Sequence, residues 1–473
     1  MIKLRPYQQA VLDAVRRSIA TQGPEGASVV IESPTGSGKT AMAAFIAEST
    51  LSKGGSLAFI CHRQELIDQT ALTFDQVGIP YAFIANGYPR QPSRVKICSV
   101  GTLVRRAAKI PPPTVVVWDE CHHLGARTWS KVHAAWARST HVGLSATPQR
   151  LDGTGLHRWF SEIVHGPPVA TLIEQGYLSR YRAYAPTVPD ISGVHQRAGE
   201  YRRRELELAV GQGEILGDIA GHWQRLAPGR KTIAFAVSVK HSAGIVEAFR
   251  AAGVSAAHLD AKTPKPERRH TLQRFARGEI EVLSNVELFG EGFDLAANAG
   301  LDCTVEGVIL ARPTMSVGLH LQQVGRALRP KDEPAVILDH AGNCVRHGLP
   351  DEPRTWSLED RPKGEGEGRE VPCTVRMCGE CYAVVSIDCT HCPYCGAVLP
   401  VKGRAVKELE GDLQEIDQAE MLEARRRRRS RQEVGRAQSL EALRELAKAR
   451  GYRPGWAEHV WRGRQGQSYS RRR

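Results

Sequence analysis

No uninterrupted apolar run in this chain reaches the roughly 18 residues that a membrane-crossing helix needs, so no membrane span is expected. The opening residues, MIKLRPYQQAVLDAV, also lack the apolar core of a secretion signal, because charges interrupt them throughout. Cysteine is scarce over most of the length. Six of the 11 cysteines fall between Cys373 and Cys395. That spacing excludes a disulfide framework spread over the chain and points to a metal site in a reducing compartment. A cytoplasmic location is therefore the expectation. Acidic charge is the minority: 51 Asp and Glu stand against 64 Lys and Arg, a net +13. A basic balance favours a polyanionic partner, nucleic acid before an anionic membrane. A compositional bias toward arginine is the bland alternative. At 473 residues, 41% hydrophobic, the chain is long enough for two to four domains with sizeable cores.

Short apolar runs are plentiful. SVVIESP, SLAFICH, RVKICSV, TVVVWDE and HVGLSAT alternate with longer amphipathic stretches such as ELIDQTALTFDQVG. Buried strands alternating with helices predict a parallel sheet covered on both faces. The alternation restarts near Lys231 with KTIAFAVS, SAAHLDA, EIEVLSNV, GVILARPT and PAVILDHA, so two α/β domains are expected. Residues 166–215 between them read as a connector with some helix. RPKGEGEGRE offers no apolar anchor and reads as a flexible linker.

VVIESPTGSGKT reads as a strand, a glycine-rich loop and the start of a helix. Gly36 and Gly38 allow a tight turn that gathers backbone N–H groups, and the helix N-terminus adds its dipole, which suits a polyphosphate. Pro34, Thr35 and Ser37 complete the loop. Lys39 can reach terminal phosphates and the Thr40 hydroxyl can ligand Mg²⁺. Ser33 stands where the strict pattern has glycine. Further on, VVVWDECHHLGAR sets five residues of metal-binding type in a row. Consecutive residues at a strand end alternate in direction, so they are poorly placed to converge on one transition metal. Beside a phosphate loop, Asp119 would instead hold Mg²⁺ and Glu120 would polarise a water.

These motifs resemble those of superfamily 2 helicases of the DEAD/DEAH-box group, with DECH in place of the box, and the resemblance covers about residues 3–350. It implies two tandem RecA-like domains, at 1–165 and 216–358, with 166–215 between them. It also implies an ATP-dependent helicase or translocase. LRPYQQ resembles the adenine-reading motif, with Gln8 on the base and Arg5 or Tyr7 beside it. CHRQELIDQ and SVGTL resemble strand-contacting motifs, which makes Arg63, Gly101 and Thr102 nucleic-acid candidates. LSATP, with Ser145 and Thr147, resembles motif III, which His122 would link to Asp119 and Glu120. LFGEGFDLA resembles motif V, with Gly292 and Asp294. QQVGRALRP resembles motif VI, with Gln322, Gly325, Arg326 and Arg329. The two arginines stand at i and i+3, on one face of a helix. Arg329 is the first choice for a finger that completes the ATP site on domain closure, and Arg326 for a second phosphate contact. DNA is the preferred partner, with RNA left open. So is a remodelling ATPase that does not separate strands.

CGECYAVVSIDCTHCPYCG carries Cys378, Cys381, Cys392 and Cys395 as two CxxC knuckles, the pattern of a Zn²⁺ ribbon over 372–400 after a linker at 359–371. Cys373, Cys389 and His391 are alternative ligands. A redox CxxC is the rival reading, without the βαβ setting such motifs use. So small a module would depend on its ion to fold. A superfamily 2 core, ILDHAGNCVRHG and a ribbon together resemble the bacterial RadD-like helicases, related to the XPB group, which implies DNA repair or recombination. Residues 401–473 read as a basic helical tail with 19 Lys and Arg against 11 Asp and Glu. EARRRRRSRQ and the Trp456/Trp461 segment suit phosphate and base contact, a solvated hairpin, or docking of a repair or single-strand-binding protein.

Overall fold

The computed structural model describes residues 3–464 apart from 24, 90, 151, 186–190, 192, 198–199, 211–213, 290–294, 361–373 and 400–438. The first sheet is built from β1 (Ser28–Glu32), β2 (Leu57–Cys61), β3 (Ala82–Ile84), β4 (Val95–Ser99), β5 (Val115–Asp119), β6 (Thr140–Ser145) and β7 (Glu162–His165). Their order is β3-β4-β2-β5-β6-β1-β7, and every neighbouring pair is parallel. Every residue of β2 and β6 is buried, as expected of strands covered on both faces.

The chain then forms β8 (Tyr181–Tyr184) and a small hairpin, β9 (Gln196–Arg197) with β10 (Glu200–Tyr201). Next come β11 (Thr232–Phe235), β12 (Ala256–Leu259), β13 (Val282–Asn285), β14 (Gly307–Leu310) and β15 (Ala335–Asp339). The second sheet runs β12-β13-β11-β14-β15-β8, again all parallel. The expected pair of parallel-sheet α/β domains is present. Within the stretch read as a connector, β8 supplies the edge of the second sheet.

After β15 the chain crosses back to the first domain. His157 N–H donates to Leu358 O at 3.0 Å and Gly155 N–H to Asp360 Oδ1 at 2.7 Å. Leu358 packs beside Leu156 and Phe160. Residues 359 and 360, expected to open a flexible linker, are thus anchored, while 361–371 lie outside the described residues.

The ribbon pairs β16 (Val375–Met377) with β17 (Val384–Ser386) antiparallel. Its first knuckle hooks onto the second domain: Ala383 bridges Tyr184, and Ala185 N–H donates to Tyr382 O at 3.1 Å. Cys378, Ala383, Val385 and Leu399 share an apolar cluster with Ile219, Trp223 and Leu338. Beside the ion expected to carry much of the module's folding, the ribbon also draws on the second domain's core.

Residues 402–473 form a separate unit. Its described part is a hairpin of helices Leu440–Arg450 and Trp456–Arg464, capped by Ser439 Oγ accepting from Ala442 N–H and turned at Gly451. Tyr452 packs on Trp456 at 4.4 Å. EARRRRRSRQ lies outside the described residues. Among those described, no helix is long and apolar enough to cross a membrane.

Candidate functional site

The order β5-β6-β1 sets three loop-bearing strand ends side by side: Asp119, Ser145 and the start of the phosphate loop. Ligands of open parallel sheets bind at this end of the strands. Gly36 and Gly38 have φ of +87° and +82°, in the left-handed region that glycine enters without strain. The helix Lys39–Ser52 follows. The Ser33 hydroxyl donates to Ser37 Oγ at 2.7 Å, which ties the loop across its base and gives a reason for serine at the departure from the strict pattern. Lys39 Nζ donates to the carbonyls of Ser33 and Pro34 at 3.0 and 3.3 Å. Burial holds the Lys39 ammonium below its ordinary pKa, against the pull of the Glu120, Asp119 and Glu32 carboxylates, and the charge of Arg326 adds to the depression. A desolvated cation on such a loop suits a polyphosphate.

Gln8 and Tyr7 brace the loop from outside. Gln8 Nε2 and the Tyr7 hydroxyl both donate to Ser37 O, at 2.8 and 2.7 Å, and Gln8 Oε1 accepts from Arg5 N–H at 2.9 Å. Arg5 lies 5.0 Å over the ring of Tyr177, which is itself 5.0 Å from Tyr7. Tyr177 belongs to this edge of the site, and nothing in the surrounding EQGYLSRY marked it.

At the end of β5 the chain reverses on Glu120, whose φ of +50° is left-handed for a residue with a side chain. Such strain costs on the order of 1–3 kcal/mol and is held where the surroundings fix it. Cys121–Gly125 is a 3₁₀ turn, so the two histidines ride on a turn rather than at a strand end as expected. His122 Nδ1 lies 3.3 Å from Ser145 Oγ and 3.5 Å from Glu120 Oε2. Ser145 Oγ accepts from Thr147 N–H at 3.1 Å. Glu120 Oε2 is buried and accepts no hydrogen bond among the described residues. Cys121 is buried, its thiol is pushed well up by burial, and its Sγ fills the space over Gly143, a packing role.

The opposite wall comes from the second domain. Helix Val317–Gly325 lies so close to the first domain that a Cβ on Gly325 would sit 2.6 Å from Thr35 Cβ, and one on Gly318 2.8 Å from Thr147 Oγ1. A cavity of about 350 Å³ between the domains is lined by His122, His123, Thr147, Leu319 and Gln322 among others. The helix ends at Gly325. Arg326 is its C-cap and is buried. Arg329 lies beyond in a bend, half-exposed. The expected single helix face for both arginines is therefore corrected. Lys331 pins this turn by donating to Arg329 O at 3.0 Å.

Arg63 precedes the helix Gln64–Val77, and its Nη1 donates to Glu287 O and Leu288 O of the second domain, each at 3.2 Å. Nearby, Arg268 reaches Glu65 at 2.8 Å, a further link between the domains that no sequence motif signalled. Gly101 is exposed and Thr102 half-buried on the one-turn helix Val100–Leu103. Arg63 and this turn share the β2 and β4 side of the sheet, away from the phosphate loop. Gly292 and Asp294 lie outside the described residues.

In the ribbon, the Sγ atoms of Cys378 and Cys395 are 3.6 Å apart, as are those of Cys381 and Cys392. All four lie within 4.8 Å of one another. A tetrahedral Zn²⁺ about 2.3 Å from each sulfur needs sulfurs about 3.8 Å apart, so the set fits that ion. Cys389 packs in the apolar cluster beside it, and His391 is exposed on a bridge to Val398. Cys373 lies outside the described residues.

Residues 1–150 match the family described as type III restriction enzyme, res subunit, and residues 214–331 match the helicase conserved C-terminal domain. A 51.5 kDa protein of a Lactococcus phage is 34% identical over 390 residues, spanning 82% of each chain. The putative ATP-dependent helicase IRC3 of Saccharomyces cerevisiae is 28% identical over 349 residues, 69% of this chain and 49% of that protein. The DNA 3'-5' translocase XPB2 of Sulfurisphaera tokodaii is 25% identical over 381 residues, 72% of this chain and 81% of that one.

Proposed function

Because this chain belongs to the superfamily 2 helicases, which are nucleic-acid-dependent ATPases, we propose that it couples ATP hydrolysis to movement along, or remodelling of, DNA. The observation that carries the proposal is the apposition of Gly325, with Arg326 next in the chain, against Thr35 of the phosphate loop across the domain junction. A phosphoryl group in transfer needs its spreading negative charge met from several sides. Lys39 and the loop N–H groups would meet it from the first domain. Arg326, whose charge already acts on Lys39, would meet it from the second. Arg329 is assigned the finger role. Thr40 and Asp119 would hold Mg²⁺, which would supply charge neutralisation at the phosphates. Glu120 would orient and polarise the attacking water, and His122 would report its state through Ser145 to Thr147, which faces Gly318 of the second domain. Gln8, braced by Arg5, would hold the base edge of the site.

Arg63, Gly101 and Thr102 would contact the strand backbone, which positions it without reading sequence. Among the relatives, one named a DNA translocase matches 72% of this chain and one named an RNA helicase matches 37%, and the fuller match supports DNA. The net charge of +13 supports a polyanion of either kind. Assignment to repair or recombination rests on the resemblance to RadD-like helicases.

The test is ATP hydrolysis with no nucleic acid, single-stranded DNA, duplex DNA and RNA, in the wild type and in Lys39→Ala. DNA should stimulate the wild type, and Lys39→Ala should abolish turnover while melting normally. Stimulation by RNA alone overturns the choice of DNA, and near-normal turnover of Lys39→Ala overturns the catalytic assignment.

A further inference from the structure

The two consecutive histidines of the Cys121–Gly125 turn have different neighbours. His122 faces Glu120 and Ser145. His123 continues away from them: its ring centroid is 4.4 Å from that of His122 and 4.9 Å from that of His62, at an interplanar angle of 64°. Both His123 and His62 lie against Trp129, at 5.6 and 6.3 Å. Trp129 is buried and packs on the buried Trp118 at 5.9 Å, so the ladder stands on a stiff floor. His62 follows the last residue of β2, and its Nε2 accepts from Arg63 Nε at 3.2 Å. Arg63 in turn reaches the carbonyls of Glu287 and Leu288 across the junction. Four side chains thus run without a gap from the residues beside the phosphate loop to the residue that touches the second domain.

We propose that His123 is a positioning residue that couples the ATP site to the strand-contacting edge, acting through His62 on Arg63. The inference rests on the reading of the chain as a nucleic-acid-stimulated ATPase. Spatial intermediacy alone does not make a coupling path; an element with two arrangements is needed, biased from both ends. Arg63 is that element. Its bonds to Glu287 O and Leu288 O exist only while the domains are apposed, and a phosphodiester competes for the same guanidinium. At the other end, His122 sits between Glu120 and Ser145, where the occupancy of the ATP site acts. His123 joins the two because its ring fills the space between His122 and His62. A ring contact of this kind is worth roughly two- to twelvefold in an equilibrium constant.

The test uses the full chain and four variants: His123→Asn, which loses the ring, His123→Phe, which keeps it, His62→Ala, and the double variant His123→Asn/His62→Ala. ATP turnover is measured without nucleic acid and with saturating single-stranded DNA. Oligonucleotide affinity is measured with and without a non-hydrolysable ATP analogue. Basal turnover and melting temperature should stay near wild type in all four. The stimulated-to-basal ratio should fall about two- to twelvefold in His123→Asn and His62→Ala and no further in the double variant, while His123→Phe keeps most of it. Linkage requires the analogue's effect on DNA affinity to shrink by a matching factor. A merely structural role would move melting and basal turnover together and leave the ratio alone. An unchanged ratio in His123→Asn, or multiplying losses in the double variant, overturns the proposal. A wild type that no nucleic acid stimulates overturns the functional reading, and this inference with it.

Discussion

Replacing Gly325 by alanine should slow ATP turnover about a hundredfold without weakening the fold. Gly325 closes the helix Val317–Gly325 and is absent from the glycines with positive φ, so alanine meets no backbone strain there. Judged by helix propensity alone, the substitution stabilises by up to about 1 kcal/mol. The space is the difficulty. The added Cβ would lie 2.6 Å from Thr35 Cβ and 2.7 Å from Thr35 Cγ2. Carbon atoms settle at about 3.5–4.0 Å, so something must move by roughly 1 Å. Thr35 Cβ is bonded to the backbone of the phosphate loop and cannot swing aside. The displacement falls on the junction, one residue from Arg326. A shift of about 1 Å in a catalytic group costs on the order of 10²-fold, equivalent to about 2.7 kcal/mol of barrier. Steady-state hydrolysis at saturating DNA, with a thermal melt of the same samples, checks both halves. The loss should appear mainly in kcat with the melting temperature unchanged or raised. Gly318→Ala is the graded control, because its clash is with the rotatable Thr147 hydroxyl, and it should cost only a few-fold. Turnover of Gly325→Ala within threefold of wild type would refute the reasoning.

Two further outcomes are expected. Elemental analysis should find about one zinc per chain, lost in Cys378→Ser and kept in Cys389→Ser, since Cys389 packs beside the four-sulfur set rather than in it; retention of zinc by Cys378→Ser would exclude that ligand set. Acid should destabilise the fold below neutrality. Burial holds His141 and His340 at about 3 and His241 and His347 at about 4, against roughly 6.5 when unfolded. Between those values the unfolded chain takes up protons that the folded chain refuses. Stability therefore falls as pH drops from 6.5, by up to about 1.4 kcal/mol per pH unit for each histidine. His141→Gln should flatten the slope by one such increment, and denaturant melts that do not change between pH 7 and 5 would contradict it.

The phosphate loop was legible because its chemistry constrains neighbours in sequence: a strand, two glycines with positive φ and a helix start are all local. The same holds for the two CxxC knuckles and for Asp119 and Glu120 at the end of β5. What sequence did not reveal is who stands opposite. Tyr177 reaches Arg5 and Tyr7 from a stretch with no pattern of its own, and the ribbon's debt to Trp223 and Ile219 depends on where β8 lies. The single face expected for Arg326 and Arg329 failed for a local reason. Periodicity treats QQVGRALRP as one helix, but the helix closes at Gly325 and the turn that follows, ahead of Pro330, is pinned by Lys331.

The junction itself argues for a separation of stability from activity. At two points of the junction a glycine of the second domain faces a first-domain side chain: Gly325 faces Thr35 and Gly318 faces Thr147. Spacing across the cleft is thus set by backbone against side chain, rigidly at Gly325 and more softly at Gly318, where the Thr147 hydroxyl can turn. A substitution that strengthens the helix at either glycine works against closure, so variants selected for thermal stability should accumulate elsewhere. The ladder through His123 has the opposite character. Its rings are soft contacts, and losing one should weaken communication without closing or opening the site. Rate would then be governed by glycine spacing and its dependence on DNA by the histidines, two properties separable by substitutions at Gly325 and at His123.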